Sequence, residues 1–239
     1  MREACPFCNT SLELERFERI KQIAGIRREN PVVYNGRYIR VVPDFYPVSP
    51  LNGEDGYHLL LVTERHVVSM ADLSEDEYRE KEQLAERIMG RLGGGVRFEH
   101  GGRGSNGHTS MKSIHHAHEH LVGLRKREVE EVQVVVEREM LSMGFLKREG
   151  DVKGVLGERQ EDDPYLYVAL GGRKFVFCPG NGSRDVPSQF MKRVIMARGK
   201  GFINWKEMGL DEEVLMAMRA RTTFEKFAGN GDGCIMENR

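Results

Sequence analysis

Apolar residues recur along this chain at two spacings, helical and continuous, and the two alternate. Between residues 11 and 26, Leu12, Leu14, Phe17, Ile20 and Ile23 form a stripe at helical spacing. Asn30-Pro31 ends that region. Pro31–Tyr34 and Tyr38–Val42 flank Asn35-Gly36, the pattern of a hairpin. An irregular stretch from Asp44 to Pro50 and a turn over 51–56 follow. His58–Val62 is an unbroken apolar run after its first residue and predicts a buried strand. Ser74 and Glu77 are spaced as a capping box. They open a helix whose buried face is Tyr78, Leu84, Ile88 and Leu92, and Gly93-Gly94-Gly95 stops it. Val96–Glu99 predicts a strand, and Ser113–Val122 another, with a glycine-rich loop between them.

Past Val122 the pattern changes. Arg127–Met143 predicts a long helix with Val129, Val132, Val134, Val135, Met140 and Leu141 apolar. Gly144, Phe145-Leu146 and a polar turn region to Asp163 come next. Tyr165–Leu170 and Lys174–Cys178 flank Gly171-Gly172, a second hairpin. Ser188–Arg198 reads as a helix with Phe190, Val194 and Ile195 apolar, and its adjacent Lys192 and Arg193 as a solvated face. Asp211–Phe227 reads as the last helix, capped by Asp211, and the polar tail from Gly229 to Arg239 as mobile. The whole is α+β: a core to about residue 125 and an appended α/β segment of two strands and three helices. The pattern does not choose between a separate lobe and a segment lying back over the core.

Composition narrows the function. A chain of 239 residues can bury a sizeable core. Lys and Arg number 36 against 37 Asp and Glu, a formal net charge of −1, so bulk electrostatic binding of nucleic acid is not expected. A local basic patch around a phosphate remains compatible. The chain lacks an apolar run of membrane-spanning length, which predicts a soluble, cytoplasmic protein with no membrane partner. Four cysteines do not make a disulfide scaffold here. Cys178 and Cys234 are isolated; Cys5 and Cys8 have metal-ligand spacing. A redox Cys-x-x-Cys usually follows a strand, for which the residues before Cys5 leave no room, so zinc is the better reading. Zinc needs two more ligands; the alternative is a metal-free thiol pair.

The densest chemistry lies at His116-Ala117-His118-Glu119-His120. In a strand, residues i, i+2 and i+4 share a face, so three imidazoles would stand in a row, while His115 would share the other face with Ala117 and Glu119. In a helix they would fan apart. Buried imidazoles need partners for their nitrogens, so core filling is a poor account. A surface histidine patch is the bland account. The sharper one is a phosphate or metal site, because imidazole near neutral pH serves as ligand, base or nucleophile. Upstream, Phe98 to Ser110 is full of glycine and small hydroxyls, whose backbone N–H groups can approach an anion. A neutral imidazole attacks phosphorus and forms a phosphoryl-histidine, and a neighbouring imidazolium or backbone N–H steadies the equatorial oxygens. On position alone the middle histidine, His118, is the best nucleophile.

These residues resemble a known family. The His116-x-His118-x-His120 row looks like the triad of the HIT (histidine triad) superfamily of nucleotide hydrolases and transferases. Asp44–Pro50 and His58–Val67 resemble its upstream strand pair, and Cys5-Pro6-Phe7-Cys8 the start of its zinc-bearing members. The four blocks stand in the family's order and cover residues 1 to 122. The resemblance implies a HIT-like antiparallel sheet with packed helices: a nucleotide-binding catalytic domain over 1–125 and a C-terminal α/β extension over 126–239. It implies a structural zinc held by Cys5, Cys8, His66 and His116. It makes His118 the nucleophile on a nucleotide α-phosphate, giving a covalent nucleotidyl-histidine, with His120 touching the phosphate and Ser113 a hydroxyl near the leaving group. Asp44 would line the ribose and His58 would steady the triad; His100 falls near the site, with a plain loop histidine as its bland reading, and Asn106 of the glycine-rich loop joins the nucleotide-binding candidates.

The expected partner is a nucleotide-containing small molecule, and a homodimer is compatible. Three positions depart from the family's pattern. Tyr57 precedes His58 where glycine is usual, Gly123 stands where proline is common, and Glu119 occupies a normally apolar position. Glu119 should point to the opposite face and meet a basic partner from the appended segment. A second reading is a regulatory nucleotide-binding protein of HIT fold with little catalysis. A third, a purely structural zinc protein, gives His118 and His120 no task.

Overall fold

Antiparallel strand pairing organises the computed structural model, which describes residues 5–48, 57–102, 114–157, 164–187, 189–197 and 210–228. The turn at 51–56, the glycine-rich loop carrying Asn106, Ser113, Cys234 and the tail from Gly229 fall outside the described residues. So does the side chain of Asp211. The elements run α1 (Thr10–Ala24), β1 (Tyr34–Asn35), β2 (Ile39–Pro43), β3 (His58–Thr63), a 3-10 turn (Met70–Asp72), α2 (Glu75–Leu92), β4 (Gly95–Gly101) and β5 (His118–Gly123). Then come α3 (Lys126–Ser142), β6 (Phe145–Glu149), α4 (Val152–Leu156), β7 (Tyr165–Leu170), β8 (Arg173–Pro179), α5 (Phe190–Ala197) and α6 (Leu210–Ala228).

Local chemistry sets several boundaries. The Ser74 side chain accepts from the Glu77 N–H, and the Glu77 carboxylate accepts from the Ser74 N–H, so the capping box that begins α2 is complete. Gly93 ends α2 at φ 75°, a left-handed position that other residues resist. Gly171 and Gly172 turn the β7–β8 hairpin at φ 57° and 79°, the positive pair that a two-residue turn requires.

The strands form an eight-stranded antiparallel sheet in the order β1-β2-β3-β5-β4-β7-β8-β6. Strands from both sides of residue 125 therefore pair directly, β4 against β7, and the later strands extend the sheet instead of forming a lobe. Two elements went unforeseen. Strand β6 lies at the edge with only Phe145 buried, so it lacks a clean alternation. Helix α4 spans a single short turn region capped by Asp151.

The two faces of the sheet carry different loads. Registers Leu60↔His120, Phe98↔His120, Phe98↔Val168 and Val168↔Phe175 place these side chains in one row across the front face. Helices α3 and α5 close that face, with Val132, Val136, Met140, Met191 and Ile195 buried against Phe98, Val168 and Phe177. On the back, Leu59, Leu61 and Leu121 meet Phe17 of α1, Leu84 and Ile88 of α2 and Phe224 of α6. Each such apolar side chain contributes roughly 1.5–3 kcal/mol when fully buried.

Glu119 sits among that back-face packing with no exposure. Its carboxylate is 2.6 Å from Arg97 Nε and 3.0 Å from Lys81 Nζ. Lys81, itself fully buried, also lies 2.6 Å from Glu82 and 4.3 Å from the centre of the Tyr78 ring. The basic partners thus come from β4 and α2 and not, as expected, from the appended segment. That segment contributes Lys174, which reaches Glu82 at 2.8 Å. Strand β4 is adjacent to β5 in the sheet, and α2 lies directly behind both, so their cations are nearest.

Removing one member of such a cluster leaves buried charge unanswered. Glu119→Ala is expected to lose about 3 kcal/mol or more in urea unfolding at neutral pH. Burial works to raise the Glu119 pKa, but Arg97 and Lys81 override it and hold it below the usual carboxylate value. A depressed folded pKa means stability that is complete above the unfolded value, near 4.3, and lost as pH falls through the folded one. The urea midpoint of the natural chain should therefore decline from about pH 5 downward, and less steeply for Glu119→Gln.

Candidate metal centre and histidine cluster

Residues 5 to 8 form a tight turn at the entrance to α1, with the N–H groups of Cys8 and Asn9 donating to the Cys5 carbonyl at 3.1 and 2.9 Å. The turn points both sulfurs the same way. Arg40 of β2 fastens it to the sheet, donating to the Phe7 carbonyl at 2.6 Å and pairing with Glu13 of α1 at 3.3 Å. His66 follows the end of β3 and His116 precedes β5. Their segments are joined by the Ala117 N–H, which donates to the Val67 carbonyl at 2.7 Å.

Cys5, Cys8, His66 and His116 thus present four ligand atoms within 4.8 Å of one another. His116 Nδ1 is 3.4 Å from each sulfur, and His66 Nδ1 is 3.0 Å from Cys8 Sγ. A tetrahedral zinc with ordinary Zn–S and Zn–N bonds has S···N edges of about 3.6 Å, so the donors fit with a small expansion. The His116 Nε2–H donates to the Thr63 carbonyl at 2.7 Å. A carbonyl only accepts, so Nδ1 is the bare nitrogen and the ring is oriented as a ligand.

This pull explains why β5 begins at His118. Residues 114–116 bend away from the sheet, and His116 turns toward the cysteines instead of standing in a row with its neighbours. Of the three alternating histidines, His118 and His120 share the front face, their ring centres 5.0 Å apart. Glu119 takes the opposite face and His115 is exposed.

His118 is half-buried and lies outside the cysteine cluster. Its Nδ1–H donates to the His116 carbonyl at 2.7 Å, so the neutral ring has its lone pair at Nε2. The Phe7 ring, from the cysteine turn, meets it in a tilted, edge-type contact with ring centres 5.3 Å apart.

His120 is fixed by a relay. The Val48 N–H donates to His58 Nδ1 at 3.1 Å, which leaves the His58 proton on Nε2. That N–H donates to His120 Nδ1 at 2.9 Å, so a neutral His120 carries its own proton on Nε2. The Phe98 ring stacks on His120 at 4.4 Å. Burial above all drives the pKa of both His58 and His120 to about 3, so both are neutral at physiological pH. An imidazolium beside His118 is therefore not what His120 supplies; it offers a neutral N–H donor.

Asp44 completes this cluster, with Oδ2 3.4 Å from His58 Nε2 and 3.6 Å from His120 Nδ1. Asp44, His58 and His120 are close enough to hold a metal ion. The Lys192 ammonium, however, lies 2.6 Å from the same oxygen and also donates to the Tyr46 carbonyl at 3.2 Å. Burial works to raise the Asp44 pKa, but the Lys192 ammonium, the largest opposing influence, holds it well below the usual range. The carboxylate is thereby balanced without a metal.

Lys192 read in the sequence as part of a solvated helix face, yet it is buried. Nothing local marks it, since its contact with Tyr46 joins residues 146 positions apart. Thr63 also escaped notice, although its place beside His66 at the end of β3 was a usable signal. His100 lies two residues along from Phe98 on the front face, its ring 5.7 Å from Phe98. Ser113 and Asn106 are outside the described residues. No family model matches the chain, and no curated protein matches it. Among the described residues, no helix is long and apolar enough to cross a membrane.

The donor set predicts a thiolate-bound divalent metal. Cobalt added to metal-stripped protein should give sulfur-to-metal charge-transfer absorption and the visible bands of a tetrahedral ion. Cys8→Ser should lose these bands, and a chelator should lower the melting temperature of the metal-loaded natural chain but not of the variant.

Proposed function

We propose that this chain is a HIT-type nucleotidyl hydrolase or nucleotidyltransferase in which His118 attacks the α-phosphate of a nucleotide. In this reading residues 1–125 form the catalytic part, and residues 126–239 an extension that widens its sheet and covers its front face. One observation carries the reading: His118 and His120 stand side by side in complementary tautomers. The first has a bare Nε2 and the second has a protonated one. A nucleophile and a hydrogen-bond donor then face one phosphate from alternate positions of one strand.

The steps follow from those protons. The His118 Nε2 lone pair forms a bond to phosphorus, and the bond from phosphorus to the leaving oxygen or nitrogen breaks, the leaving atom taking the electron pair and, where it is nitrogen, a proton from water. The imidazole becomes cationic, and its Nδ1–H, held by the His116 carbonyl, steadies that charge. His120 Nε2–H donates to a non-bridging oxygen. Water or an acceptor hydroxyl then attacks phosphorus and gives its proton to solvent, and the phosphorus–nitrogen bond breaks with its electron pair returning to Nε2. Which acceptor arrives separates hydrolase from transferase.

Zinc is the metal we assign to Cys5, Cys8, His66 and His116, because two thiolates and two imidazoles at tetrahedral spacing suit it. Its part is structural: it ties the N-terminal turn to the carbonyl-bearing residue that orients His118. Asp44 departs from the role the resemblance gave it. With its Oδ2 engaged by Lys192, we assign it to the electrostatics of the histidine pair and not to the ribose.

The test is to mix the full chain with an α-phosphate-labelled dinucleoside polyphosphate or nucleoside phosphoramidate and denature it without acid. Label should stay on the protein, survive base and be lost in acid, as expected of a phosphorus–nitrogen bond. His118→Asn should abolish the label and reduce turnover by several orders of magnitude. Undiminished turnover by that variant defeats the assignment. Tight nucleotide binding with no label and no product would favour a regulatory protein of the same fold.

A further inference from the structure

The relay that fixes His120 needs a cation beside Asp44. His58 Nε2–H donates to His120 Nδ1, so that nitrogen is bare, yet the Asp44 carboxylate is only 3.6 Å from it. A buried carboxylate next to a bare ring nitrogen is unfavourable unless its charge is answered elsewhere. Lys192 answers it at 2.6 Å, while Oδ1 accepts from the Tyr46 N–H at 2.8 Å. The groups facing His120 are Asp44 after β2, His58 on β3, His118 on β5, the Phe98 ring on β4 and Lys192 on α5. One carboxylate and one ammonium balance, so Asp44, Lys192, His58 and His120 together are electrically neutral with these two imidazoles unprotonated.

We propose that Lys192 is a positioning residue: by pairing with Asp44 it keeps His120 neutral, with its proton on Nε2 and its Nδ1 accepting from His58. Without the ammonium, the same neutrality is reached by taking a proton from water onto His120 Nδ1, which then donates to Asp44. That proton excludes the His58 Nε2–H from Nδ1, so the relay breaks. The α5 helix of the C-terminal segment thereby sets the hydrogen-bonding state of a strand in the N-terminal part. The catalytic meaning of this device rests on the role proposed for His120, but the device itself is independent of turnover.

The experiment is nitrogen-detected NMR of the histidine rings in the full chain, with protein carrying Lys192→Met, Lys192→Arg or the pair Asp44→Asn/Lys192→Met. In the natural chain His120 should show a bare Nδ1 and a protonated Nε2 throughout about pH 4.5 to 8, a range that begins above the pKa of about 3 held by both rings and brackets a midpoint raised by about two units. Lys192→Met should take up a proton on the His58–His120 pair, its midpoint raised by about two pH units or more. Lys192→Arg should restore the natural spectrum, and the double variant, which removes both charges, should again show neutral rings. A purely structural role for Lys192 would lower the melting temperature without moving that midpoint.

A Lys192→Met spectrum with the natural tautomer and no proton uptake overturns the inference. So does Nδ1 protonation of His120 in the natural chain, a measurement that requires no variant to fold. A chain that forms no nucleotidyl-histidine but shows the titration defeats the proposed activity and leaves Lys192 in its role. Labelled His118 without the titration does the reverse.

Discussion

Glu119 places a full negative charge in the middle of the sheet, out of reach of water, and the surrounding elements are arranged to answer it. Arg97 from the neighbouring strand and Lys81 from the helix behind approach the two carboxylate oxygens. Lys81 then requires Glu82, and Glu82 is met in turn by Lys174 from β8. In a low-dielectric interior none of these charges is tolerable alone. The cluster therefore couples α2, β4, β5 and β8, and so joins residues on either side of position 125. It also fixes which way β5 faces, because slipping the strand by one residue would bring Glu119 to the front and the histidines to the back.

The front face follows the same rule with a different solution. There His58 and His120 escape the cost of burial by staying neutral and sharing protons in a defined order, and the Asp44 carboxylate beside them is answered by Lys192. Backbone groups start both chains of command: the Val48 N–H sets His58, and the His116 carbonyl sets His118. The cysteine turn enters this arrangement twice. It draws His116 out of the strand, and its Phe7 lies against both His116 and His118. The cysteine–histidine cluster and the histidine pair are thus a single structure built around the start of β5.

Much of this was legible in the residue pattern. The α2 capping box, its glycine stop, the Gly171-Gly172 hairpin and the opposite-face position of Glu119 all follow from local rules that the fold obeys. The convergence of Cys5, Cys8, His66 and His116 came from resemblance, and the geometry brings those four together. Alternation predicts a row of three imidazoles because it assumes a continuous strand, whereas the chain bends before His118 and turns His116 toward the sulfurs. The partner of Glu119 was sought in the wrong segment, since sequence separation carries no information about which strand will lie alongside.

What the sequence determined by itself was period and type: where helices start, where strands alternate, and which residues carry ionisable chemistry. Those properties depend on neighbours a few positions away. Tertiary structure alone decided the charge and tautomer of each ionisable group. That state depends on the nearest buried partner, and for Asp44 the partner is Lys192, from a helix near the far end of the chain. A lysine that reads as solvated becomes an internal counter-ion only when α5 packs over the front of the sheet and removes the water.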